Sequence, residues 1–82
     1  MEDPLRHAEE AINALGRGDA AIARSEAVLS VVGDHSLYAL ADIIALAAAE
    51  LEAESEVSPS TWNALSDACP ARLRPTIELW RT

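Results

Sequence analysis

The residue best placed for chemistry is Ser36, in the stretch Val32-Gly33-Asp34-His35-Ser36-Leu37-Tyr38, near the middle of an 82-residue chain. It stands at a predicted helix start, where unsatisfied backbone N–H groups and the positive end of the helix dipole favour an anion. A phosphate ester on the serine oxygen would gain from both. Gly33 would let the chain turn tightly, and Leu37 would turn inward and fix the register. The plainer reading makes Asp34 or Ser36 a helix N-cap.

The remaining chemistry-bearing side chains point to little. His7 and His35 are far apart, with no nearby cysteine or spaced carboxylate, so no metal site is expected. Cys69 is the single cysteine, which excludes an internal disulfide and reads as a small core residue. Ser25 and Ser30 have no base beside them, and no Ser-His-Asp set can be assembled.

The elements that would position Ser36 follow from apolar spacing and punctuation. Asp3-Pro4 reads as an N-cap with proline at the first helical position, and Leu5, Ala8, Ile12 and Leu15 continue at helical spacing until Gly16 and Gly18 end the run. Over residues 19–33 Asp19 could cap a second helix. The irregular spacing of Ile22, Val28, Leu29 and Val32 instead favours a long loop with some helical turn, pinned to the core by those residues. Leu37, Leu40, Ile43, Ile44, Ala47 and Leu51 form one stripe of a central helix from about Ser36 to residue 54. Ser58-Pro59 opens a short helix carrying Trp62, Leu65 and Cys69. Leu73, Ile77 and Trp80 share a face of a last helix that starts near Pro75. With no strand-like alternation, the chain is predicted to be all-α, a four-helix bundle of three long helices and one short one with a long loop after the first.

Composition bounds the class of partner. One domain spanning residues 1–82 is expected, with an Ala, Leu, Ile and Val core, since the chain has no Phe and only two Trp and one Tyr. Net charge is −8, and all six basic residues are Arg. Such a field repels phosphate backbones and attracts basic protein surfaces, which argues against nucleic acid. The opening MEDPLRHAEEA lacks the basic and apolar regions of a leader, and no apolar run approaches bilayer length, so a cytoplasmic protein with no membrane contact is expected. Glu50, Glu52, Glu54 and Glu56 read as a solvated, fraying helix end.

Gly33-Asp34-His35-Ser36-Leu37 resembles the Gly-x-Asp/His-Ser-Leu motif of acyl and peptidyl carrier proteins. The resemblance extends to Leu15-Gly16 at the end of the first helix, to the apolar anchors Ile22, Val28, Leu29 and Val32, to the helix face Leu37, Leu40, Ile43, Ile44 and Leu46, to Val57-Ser58-Pro59, and to the apolar end from Ile77 to Trp80. It implies a helical carrier whose Ser36 holds covalent 4'-phosphopantetheine, delivered from coenzyme A by a phosphopantetheinyl transferase, with Gly33, Asp34, His35 and Leu37 around the attachment point. The protein would be a stand-alone monomer and not itself an enzyme. It would hold an acyl or aminoacyl thioester and present it to loading and condensing enzymes, with a lean toward polyketide or nonribosomal peptide synthesis over fatty acid synthesis. Val31, Val32, Tyr38, Leu40, Asp42 and Ile44 would meet partners or cargo. Two features depart from the family. His35 stands where acyl carriers usually have an Asp that helps bind magnesium and coenzyme A. The outer face of the central helix is mostly alanine (Ala39, Ala41, Ala45, Ala47, Ala48, Ala49), with Asp42 and Glu50 as its acids.

Residues 11–46 also resemble a tetratricopeptide-type hairpin, through Leu15-x-x-Gly18-Asp19-x-x-x-Ala23 and Asp34-x-x-x-x-Ala39. This alternative is a non-enzymatic helical interaction module, either tetratricopeptide-like or a vestigial, unloaded carrier. The hairpin form requires Asp19 to Val32 to be a regular helix packed antiparallel to the next one. One such unit cannot bury its face alone, and the sequence shows no second copy at the expected period.

Overall fold

The computed structural model describes residues 3–81. They form five α-helices: α1 (Pro4–Arg17), α2 (Ala20–Gly33), α3 (Tyr38–Glu54), α4 (Pro59–Ala68) and α5 (Arg74–Arg81). Two short 3-10 turns, His35–Leu37 and Ala71–Leu73, lead into α3 and α5. The all-helical expectation holds and no strand is present among the described residues, but the bundle has five helices where four were predicted.

The long loop after the first helix is not there. Helix α1 opens as predicted, with Asp3 accepting from the Leu5 N–H at 3.0 Å and Pro4 in its first turn. It runs through Gly16 and stops at Gly18, whose φ of 83° is a left-handed turn that glycine adopts without a Cβ clash. The Asp19 N–H then bonds back to the Ala14 carbonyl at 2.8 Å, while the Asp19 side chain accepts from the Ile22 N–H at 3.1 Å. A single residue thus closes α1 and caps α2. A joint this short makes the two helices antiparallel neighbours.

The apolar residues of α2 misled because the large ones are not its buried face. Ala23, Ala27 and Ser30 are buried, at spacings of four and three, whereas Ile22, Val28, Leu29 and Val32 are exposed. The seam toward α1 is built from small side chains on both helices, Ala8 and Ala11 among them. Small residues let backbones approach closely, so dispersion contacts and water exclusion replace the volume of a leucine core. Ser30 satisfies its hydroxyl locally by donating to the Ala27 carbonyl at 2.7 Å. Across the seam His7 and Glu26 meet at 2.5 Å.

The larger core side chains come from the other helices: Ile12, Leu15, Leu40, Ile44, Leu65, Leu73 and Ile77 are fully buried. Leu5, Ile43, Leu51 and Trp80 pack partly buried around them. Of the alanines assigned to the outer face of α3, Ala47 and Ala48 are in the core and Ala41 is half-buried, while Leu46 is exposed.

Two glycines serve close packing instead of turning. A Cβ on Gly16 would lie 2.0 Å from Cδ2 of Trp80, so the indole rests on the bare backbone of α1. A Cβ on Gly33 would lie 2.7 Å from Cγ of Pro4. The break after α2 falls at Asp34, which is extended with φ −153° and ψ 103°.

The acidic end of α3 is only partly a fraying terminus. Glu50 accepts from the Ser58 N–H at 3.1 Å and from the Thr61 hydroxyl at 2.9 Å, latching α3 to the start of α4. Glu52 pairs with Arg24 of α2. Glu54 and Glu56 are exposed, as expected of a solvated end.

Candidate functional site

Ser36 does not open α3. It lies inside the 3-10 turn, two residues before the helix, and is exposed. The capping side chain is Asp34: its Oδ1 accepts both the Ser36 N–H at 2.9 Å and the Ser36 hydroxyl at 2.7 Å. These bonds from Ser36, the hydroxyl first, hold the Asp34 carboxyl below its usual range. His35 is exposed beside it, and Leu37 is buried, as predicted. Gly33, Asp34, His35, Ser36 and Leu37 therefore form one ordered corner between α2 and α3, built around an Asp–Ser pair.

The residues expected to meet partners divide into two groups. Leu40 and Ile44 are fully buried in the core and cannot touch a partner, because each lies on the α3 face that packs inward. Val31, Val32, Tyr38 and Asp42 sit together along a shallow groove of about 270 Å³ between α2 and α3. Val28, Ala41 and Ala45 complete it. Val32 is 71% exposed, Tyr38 67% and Val28 61%. Of the lining residues, Val28 is the one the sequence reading places only among the core anchors, while Val32 carries both readings, anchor and partner contact. The missing signal is the Ala23-Ala27-Ser30 stripe, which fixes the face of α2 that turns inward.

At the other end of the bundle a cleft of about 500 Å³ is bordered by Trp62, Trp80, Arg17, Arg81 and Glu56. Trp62 is buried and Trp80 half-buried, as packing residues. The Trp80 indole N–H donates to Asn13 Oδ1 at 2.7 Å.

No other side chain gathers into a reactive set. Cys69 is buried, its thiol donates to the Ser66 carbonyl at 3.4 Å, and burial pushes its pKa up, so it is a poor nucleophile. Among the described residues no group of three or more His, Cys, Asp or Glu could hold a metal ion. No helix among them is long and apolar enough to cross a membrane. No protein-family model, curated protein or solved structure matches this chain.

Proposed function

We propose that this chain is a non-enzymatic helical interaction module that docks through the outer faces of α2 and α3. The observation that carries this reading is α2 itself. It is a regular helix joined to α1 by two residues, and it turns Val28, Leu29 and Val32 outward. The hairpin alternative requires that helix, and an exposed apolar patch rimmed by polar residues is the usual mark of a partner surface.

A second reading, the phosphopantetheine carrier, keeps one observation in its favour: Ser36 is exposed at a fixed corner between helices. The hydroxyl that would be esterified donates to the Asp34 carboxylate at 2.7 Å, a bond that loading would break.

The deciding experiment pairs two measurements. Intact mass is recorded after incubation with coenzyme A, magnesium and a broad-specificity phosphopantetheinyl transferase, beside Ser36→Ala, and secondary chemical shifts are recorded over residues 19–33. Helical shifts and an unmodified mass support the interaction module. A gain of one phosphopantetheine on the wild type alone would overturn it in favour of a carrier.

A further inference from the structure

The α2–α3 groove has unequal walls. One is the exposed valine ridge of α2, Val28 and Val32, and the other is Tyr38 with the small residues Ala41 and Ala45 on α3. Side chains that small leave room for a third helix to lie along the pair, as in helix-in-groove recognition. The charge lining the groove is a single carboxylate, Asp42, four residues after Tyr38 on α3. A second carboxylate, Asp34, stands exposed four residues before Tyr38 at the open corner. The cation on the α2 side, Arg24, is already paired with Glu52.

A second copy of this chain fits that pattern badly. Each copy carries a net charge of −8, and no cation lines the groove to offset Asp42 in a two-fold contact through it. A cation from another protein would gain from Asp42 and from the face of the Tyr38 ring. Resting on the interaction-module reading above, we infer that the groove receives an amphipathic helix of another protein. Its apolar stripe covers Val28 and Val32, and it carries one basic residue set against Asp42 and Tyr38.

The test uses two synthetic helical peptides with the same Leu/Ala stripe and a neutral Gln face, one with a single Lys in the stripe and the other with Glu there. Each is titrated into the full chain and followed by amide chemical shifts. The expected result is a Lys peptide at least tenfold tighter than the Glu peptide, with shifts confined to residues lining the groove. Asp42→Asn should remove that preference. Val32→Asp should weaken the Lys peptide several-fold although it adds a negative charge. Equal binding of the two peptides would overturn the proposal by showing that no carboxylate of the groove reads the peptide's charge, and tighter Lys-peptide binding by Val32→Asp would overturn it by showing general attraction to an acidic protein. A doubling of mass by light scattering, with shifts at the same residues, would assign the face to a second copy, overturning the helical occupant but leaving the interaction surface. A monomer that binds neither peptide would overturn both.

Discussion

Trp80 and Asn13, 67 residues apart, are joined by an indole-to-amide hydrogen bond of 2.7 Å that clasps the last helix onto the first. The clasp closes because Gly16, one turn along α1 from Asn13, offers no side chain beneath the ring. Alanine in place of a helical glycine ordinarily stabilises by up to about 1 kcal/mol. Here the sign reverses. Gly16→Ala should destabilise the chain by about 1–3 kcal/mol, the usual cost of overpacking, read as a lower urea midpoint. Trp80→Phe should cost about 1 kcal/mol for the lost bond, beyond any change in packing.

The α1–α2 seam predicts an inversion of the ordinary hydrophobic scale. Ala23→Leu should destabilise by about 2 kcal/mol, because a larger side chain forces the helices apart. Val32→Ser, which removes a bigger apolar group, should change stability by less than about 0.5 kcal/mol, since that group is already in water. Thermal or urea unfolding of the two variants side by side checks this.

The corner at Ser36 separates two roles. Asp34→Ala removes the acceptor of both Ser36 bonds and should lower the urea midpoint, whereas Ser36→Ala keeps the backbone bond to Asp34 and should leave it nearly unchanged. Equal losses in both variants would make the serine hydroxyl the structural partner.

Glu50 gives the latch between α3 and α4 a pH dependence. The Ser58 N–H, followed by the Thr61 hydroxyl, holds its carboxyl below the ordinary value of 4.5. A depressed carboxyl contributes stability that is complete above that ordinary value and is lost as pH falls through the folded one. Asp3 behaves in the same sense, lowered first by its bond to Arg72. Urea midpoints should therefore fall as pH drops below about 4, and the gap between wild type and Glu50→Gln should narrow over the same range.

Most helix positions were legible because their punctuation is local. Asp3-Pro4, Gly18 and Ser58-Pro59 act within one turn of where they stand, and the α3 stripe of Leu37, Leu40, Ile44 and Ala47 repeats at a helical period. Helix α2 is obscured because its large apolar residues, the natural candidates for an inward face, point outward. An interior built on Ala23, Ala27 and Ser30 gives almost no contrast in hydrophobicity, and its direction is set by what α1 offers opposite. The same bias puts Val28 among the core anchors, whereas the partner role of Leu40 and Ile44 comes from the family resemblance and conflicts with their place on the inward stripe. The role of Gly16 was illegible from the chain alone, since its partner Trp80 arrives from the far end of the sequence.

Asp19, which ends one helix and begins the next, leaves the joint without slack. A residue inserted after Ala20 would turn the rest of α2 by about 100° about its axis while its start stayed anchored. The alanine stripe would leave the seam, and bulkier side chains would be driven into it. The face this protein shows to its surroundings is therefore governed by a count of residues as much as by their kind. Length changes in α2 should be rare in related sequences, while the bend after Glu54 should tolerate them.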